Sequence, residues 1–274
     1  MKKLILSIVV ICVTTLCFGQ TDTIYSNGEK IACSVKEITP DAVKYSYPAE
    51  DLINTAHKNT IQKIVFKNGR VQIFAESTSF KKVMDVNDFE NIKITQVEAD
   101  VKGLFKLGDV SSNAKGTSQL SSQDKVKERA YKNFKIKAAM QSANIIYLTK
   151  QRSDGNKYAT QYSKALPAET SLLGVLYVDQ LPDYDLFKKS ISDKKTFVAV
   201  QKIELYSGSS DMSLSDVQIP FKIIGMTNEN GLIILEAELK KTKTTKFRVV
   251  SFSDKSYNVF YEDKSTAYNL KIEL

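Results

Sequence analysis

Residues Ser121–Leu148, SSQDKVKERAYKNFKIKAAMQSANIIYL, decide the fold of this chain of 274 residues. Val126, Ala130, Phe134 and Ala138 recur at four-residue spacing, and Tyr131 and Ala139 widen the stripe, as in a helix with one buried face. Ser121 with Asp124 has the form of a capping box, so the helix is predicted to start there and run to about Ser142. Asn144 suits the left-handed position that ends a helix, and Ile145-Ile146-Tyr147-Leu148 then reads as a buried strand. A helix laid on strands makes the chain α+β, and most of what flanks it reads as β.

Upstream, a strand is predicted from Ile92 to Leu107, carrying Val97, Val101 and the flexible Gly103. A polar loop from Gly108 to Leu120 follows, the best candidate for mobility. Downstream, Asp154-Gly155-Asn156 reads as a hairpin turn and Leu172 to Val178 as a further strand. Residues 86–178 are thus predicted as a central β-α-β-β domain.

The string Lys135-Ile136-Lys137-Ala138-Ala139, then Ala143-Asn144, Ile145-Ile146 and Leu148, resembles the helix-to-strand signature of the outer-membrane stress-sensor lipoprotein of the Rcs phosphorelay. It is also similar to YbjQ-like small α+β domains. The resemblance implies a helix whose alanines lie close on a sheet, and a signalling role in the envelope. This chain departs from the sensor in lacking its lipid anchor and disulfides, and Ser142 stands where that family usually carries glycine.

Residues 20–80 read as about five short strands joined by tight turns, with no convincing helix, which predicts a small β-barrel. Asn27-Gly28 and Asn68-Gly69 each separate apolar runs, and both residues of such a pair tolerate the positive φ of a type I′ turn. With Asp22-Thr23-Ile24, Ile31, Val35-Lys36-Glu37-Ile38-Thr39, Tyr45, Ile61, Ile64, Phe66 and Phe74, this stretch resembles a β module found at the start of exported bacterial envelope proteins. Residues 179–195, with Pro182, several charges and one short helix around Tyr184 to Ile191, are predicted as a linker. Residues 196–274 then hold six strands at about ten-residue spacing, an antiparallel β sandwich or barrel.

At the start, Lys2 and Lys3 precede an apolar stretch from Leu4 to Leu16 that closes on Cys17-Phe18-Gly19, the layout of a signal peptide over residues 1–19. An uncleaved anchor is the alternative, although the uncharged run is short against a span of about 20 residues. Cleavage predicts an exported, periplasmic or surface-associated protein with no transmembrane segment. It leaves Cys33 as the one cysteine, in an alternating strand pattern that suits a small buried hydrophobe. Without Lys2 and Lys3 the 39 basic residues become 37 against 31 acidic, a net charge of +6. For an exported chain that disfavours nucleic acid and points to an anionic envelope component or another envelope protein as partner.

Catalytic residue types are scarce. His57 is the one histidine, in a polar connection, and no Gly-x-Ser-x-Gly elbow accompanies it. One histidine and one cysteine cannot furnish the usual zinc ligands. No phosphate-binding glycine loop occurs, and Asp85-Val86-Asn87-Asp88 has the wrong spacing for a calcium loop. No cofactor is therefore predicted. Glu236 and Glu238 share one strand face, as a glycosidase pair about 5 to 9.5 Å apart would require, but also as two solvated glutamates would.

Two surfaces invite binding. Lys125, Lys127, Arg129, Lys132, Lys135 and Lys137 oppose only Asp124 and Glu128, a basic segment for an anionic ligand, or else a solvated helix face. Tyr45 and Tyr47, and the group Tyr257, Phe260, Tyr261 and Tyr268, offer aromatics for glycans or peptides, or for packing. The sequence thus predicts a non-enzymatic envelope protein acting in binding, sensing or assembly. A carboxylate-dependent hydrolase of cell-wall or glycan polymers, and a carrier of a small hydrophobic ligand in the C-terminal β domain, are the alternatives.

Overall fold

The computed structural model describes residues 21–26, 29–74, 81, 83, 85–156, 158, 165–207, 211–240 and 242–274. The predicted signal segment 1–19 and the Asn27-Gly28 turn lie outside them. The chain divides into two compact units at the Ser79–Phe80 junction, so the predicted domains 86–178 and 196–274 fall within one unit.

The first unit is an antiparallel six-stranded sheet of β1 (Asp22–Ser26), β2 (Glu29–Ile38), β3 (Ala42–Ser46), β4 (Asn54–His57), β5 (Ile61–Val65) and β6 (Val71–Ile73). Its order, β4-β3-β2-β1-β5-β6, leaves β4 and β6 unpaired at the two ends, so it is an open sheet where a small barrel was predicted. β1 is enclosed by β2 and β5, so closure would have to join β4 to β6, and among the described residues those two do not pair. β2 changes partner at its middle, from β1 up to Cys33 to β3 from Ser34 onward. The buried Asp22 carboxylate anchors that switch, accepting the Val35 and Lys67 amides at 2.8 Å each. Ile24, Cys33, Val43, Tyr45, Ile61 and Ile64 fill the core.

Asn68-Gly69 does turn β5 into β6, but only Gly69 takes a positive φ, of 81°. The Gly69 amide bonds to the Phe66 carbonyl and Phe66 to that of Arg70, so this is a type I turn closed by a left-handed glycine, not the I′ form. His57 is the half-buried last residue of β4, paired with Ala42, and not a residue of an exposed loop.

The second unit begins with a sheet of β7 (Lys93–Thr95), β8 (Phe105–Lys115), β9 (Ile145–Asn156) and β10 (Leu166–Val178). The order is β7-β9-β10-β8, with β7 parallel to β9 and the other pairs antiparallel. Helix α1 (Gln123–Ala139) covers one face. Most of the predicted loop 108–120 is therefore strand β8. Its serines and asparagine disguise an alternating pattern in which Val110, Ser112 and Ala114 face inward. Small residues are needed there because the helix lies against them, and the Ser112 hydroxyl donates to the Ala130 carbonyl at 2.8 Å. Opposite, Gly174 lets α1 approach: a Cβ there would stand 2.9 Å from the Phe134 ring and 2.7 Å from the Tyr147 carbonyl oxygen. Asp154-Gly155-Asn156, predicted as a turn, continues strand β9, with Gly155 at a φ of 138°.

Both ends of α1 differ from expectation. Ser122 is the N-cap and makes no side-chain cap bond, while the Ser121 hydroxyl accepts the Ser118 amide. At the other end the left-handed residue is Ser142, with φ 55°, not Asn144. The Ala143 amide bonds to Ala138 O and the Ser142 amide to Ala139 O, the two bonds of a Schellman ending. Asn144 instead ties strands together: its Oδ1 accepts the Asp179 amide at 2.9 Å, and its own amide donates to Tyr177.

Six further strands form a closed antiparallel barrel: β11 (Thr196–Tyr206), β12 (Ser213–Glu229), β13 (Leu232–Leu239), β14 (Lys246–Phe252), β15 (Ser256–Asp263) and β16 (Thr266–Glu273). β16 returns to pair with β11. The Asn230-Gly231 turn between β12 and β13 carries φ values of 55° and 86°, the I′ form. Phe197, Phe221, Phe247, Tyr257, Leu235 and Leu270 fill the interior. The predicted linker is part of this core: α2 (Tyr184–Ile191) inserts Phe187, 0% exposed, edge-on against Phe252 and Tyr257.

Candidate functional site

The barrel and the α1 sheet share a seam that arises from strand parity. Phe197 and Ala199 of β11 point into the barrel. A bulge between Ala199 and Gln201 then shifts the alternation, so Ile203 and Leu205 point outward and join the core beneath α1. On the neighbouring strands Ala267, Phe260, Asn269 and Arg248 also face that way. Asn269 donates to the Met140 carbonyl at 2.7 Å. Arg248 donates to Leu107 O at 2.7 Å and to the Gln141 side chain, and its guanidinium stacks over Phe260. Burial pulls the Arg248 pKa down to about 10, against the opposing pull of Glu262.

Where α1 ends, this covered face becomes an uncovered one. The Schellman turn carries the chain away, and the outer faces of β11, β16, β15 and β14 continue as polar residues. The result is a cleft of about 140 Å³. Gln201, Asn258, Ser251 and Lys271 line it from the barrel, Ser142 from the helix end and Asp85 from the 3-10 turn Val86–Asn91. Phe252, Val86 and Ile203 supply apolar wall. The Asn258 amide donates to the Ser251 hydroxyl, which leaves its own carbonyl oxygen open. Asp85 Oδ1 accepts the amide and side-chain nitrogens of Asn87 as cap of the turn. The Gln201 side chain and Lys271 Nζ make no hydrogen bond or ion pair with any described residue.

The six basic residues of α1 do not gather into one patch. Lys135 pairs with Glu90 at 2.8 Å and Lys132 with Asp211 at 2.6 Å. Arg129 and Lys137 donate at 2.9 Å to the carbonyls of Lys115 and Ser111, on the edge of β8 that has no partner strand. Burial lowers the Lys137 pKa, with Glu262 opposing. Lys127 lies over the Tyr131 ring, and Lys125 and Lys127 alone of the six are exposed, the other four being half-buried. Helical spacing spreads the charges, and the protein's own acceptors engage most of the rest.

The other sequence candidates take structural places. Glu236 and Glu238 lie on the exposed outer face of β13, with Glu238 paired to Lys222 at 3.1 Å. Cys33 is 0% exposed, and burial together with the nearby Asp22 charge pushes its thiol up to about 11. Tyr45 is buried against the edge of Tyr47, and Tyr261 stacks on its cross-strand partner Tyr268 with ring centroids 4.7 Å apart. Among the described residues no group of three His, Cys, Asp or Glu is placed to hold a metal, and no helix is long and apolar enough to cross a membrane. The cleft itself was not legible in the sequence, because its residues come from six segments and each reads as an ordinary polar position in a strand or turn. No family model, curated protein or solved structure matches the chain.

Proposed function

We propose that this chain is an exported, non-catalytic envelope protein that acts in binding, sensing or assembly, and that its binding site is the cleft on the seam. The observation that carries this reading is the pairing of a rigid frame with open polar groups. Arg248, Asn269 and Gln141 lock barrel to helix layer beside the cleft, while Gln201 and Lys271 within it have no side-chain partner among the described residues. A pre-organised frame with unpaired donors is what a binding site requires. The alternatives lack comparable support: the two glutamates of β13 face solvent, and aromatic and aliphatic side chains occupy the barrel interior. The resemblance to the envelope stress sensor adds a proposed place of action, since α1 runs into β9 in the order that the resemblance implies.

Two measurements test the reading. N-terminal sequencing of the chain after expression with its first residues intact is expected to begin at Gln20, and an uncleaved chain held in the cytoplasm would remove the envelope from the proposal. Pull-down from envelope fractions is then compared between the parent and Asn258→Trp, which fills the cleft. A specific ligand or partner is expected with the parent and not with the variant. Recovery of the same set by both refutes the cleft as binding site, and recovery of none by the parent refutes a macromolecular partner there.

A further inference from the structure

The cleft carries one cation and one anion, Lys271 on β16 and Asp85 at the start of the 3-10 turn. They face a common space yet form no ion pair with each other or with any other described residue. Asp85 is held by its capping bonds: its side chain accepts the Asn87 and Asp88 amides, and its own amide donates to Asp88 Oδ2. Lys271 is carried by a barrel strand paired on both sides, to β11 and β15. Opposite charges on two walls complement a ligand that itself carries both signs. A purely anionic ligand would meet Asp85 and a purely cationic one Lys271. A neutral sugar would use the amides of Gln201 and Asn258 but leave both charges without a partner.

Size narrows the class. The volume of about 140 Å³ suits a single small molecule. We propose, on the footing of the binding reading above, that the cleft takes a free α-amino acid. Its carboxylate sits on Lys271 Nζ, its ammonium on the Asp85 carboxylate, and its side chain lies toward Phe252 and Ile203 with Gln201 and Asn258 beside it.

Calorimetric titration of the full chain with L-alanine, L-serine and L-leucine tests this, with L-alaninamide, N-acetyl-L-alanine and glucose as comparison probes. At least one amino acid is expected to bind, and removal of either charge, by amidation or acetylation, to weaken binding at least tenfold. Lys271→Gln is expected to weaken the amino acid to a similar degree while leaving the amide unchanged, and Asp85→Asn to do the same for the acetylated probe. Asparagine keeps the capping oxygen, and unchanged melting temperatures confirm that both variants fold. Equal binding of blocked and unblocked probes, or variants that bind the amino acid as tightly as the parent, overturns the charge assignment. Binding of glucose with no amino acid bound overturns the ligand class and leaves the cleft as a binding site. Binding of no probe overturns the amino-acid proposal alone if the pull-down still separates parent from Asn258→Trp, and both readings if it does not.

Discussion

Lys137 of α1 donates from Nζ to the carbonyl oxygen of Ser111, 2.9 Å away on the free edge of β8. Arg129 does the same to Lys115, and Arg248 to Leu107, so three cations occupy carbonyls along an edge strand of eleven residues. An uncovered edge of that length is a template for pairing with another chain, and positive charge laid across it blocks the approach. The double variant Arg129→Ala, Lys137→Ala should therefore change stability by only about 1 kcal/mol per bond while promoting self-association. Sedimentation over a range of protein concentrations is expected to show dimers or larger species for the variant and not for the parent. A variant as monomeric as the parent would remove the protective role.

Ser142 occupies a left-handed position that closes a Schellman ending, with φ 55°. An L side chain there costs about 1 kcal/mol or more, and glycine removes that cost while adding some chain entropy to the unfolded state. Ser142→Gly is expected to raise stability by roughly 0.5 to 1 kcal/mol, seen as a higher midpoint in urea with an unchanged slope. A lower midpoint would mean that the serine hydroxyl contributes to the cleft wall in a way the backbone does not reveal.

That position also shows what the sequence could and could not disclose. The stripe from Val126 to Ala138 fixed the helix, because a four-residue period of apolar side chains has one structural solution. The six strands after Thr196 were equally legible, since each alternates between barrel interior and outer face. The polar strand β8 was not: Ser112 and Ala114 are small because a helix lies on them, and serine in sequence signals a loop as readily as a close contact. Closure was also hidden. Residues 20–80 and 196–274 both read as short strands and tight turns, yet in the first β1 lies between β2 and β5 with β4 and β6 at the open ends, while in the second β16 returns to pair with β11. The seam and its cleft depend on bulges after Ala199 and after Val249, and a one-residue shift of parity leaves no mark in composition.

Tyr257 is wholly buried between Phe187 and Phe197, and its hydroxyl has no hydrogen-bond partner. Burial raises its pKa far above the ordinary phenol value, so the group stays neutral at any pH the fold survives. An unpaired buried hydroxyl costs about 1 to 3 kcal/mol, and removing it leaves the ring contacts intact. Tyr257→Phe is expected to stabilise the barrel by about 1 kcal/mol, read as a rise in melting temperature. A fall would place an acceptor, a water or a ligand atom, at that hydroxyl.

Cys33 and Tyr45 give the first unit a pH dependence of definite sign. Burial raises the thiol from 9.0 to about 11 and the phenol from 10.0 to about 12. Both groups are therefore favoured neutral in the fold and ionise more readily in the unfolded chain. Their contribution is complete below the unfolded pKa, about pH 9 for the thiol, and is lost as pH rises through the folded values. Each group that ionises only on unfolding lowers stability by about 1.4 kcal/mol per pH unit within its window. Cys33→Ala is thus expected to flatten the decline of the first unit's stability between pH 9 and 11 by about one proton's slope. Below pH 8 it should add no pH dependence. Amide exchange of the Ile24 and Val43 strands, followed across that range, reports the first unit separately from the barrel. If parent and variant decline in parallel, the thiol is not the titrating group, and Tyr45→Phe is then expected to shift the decline instead.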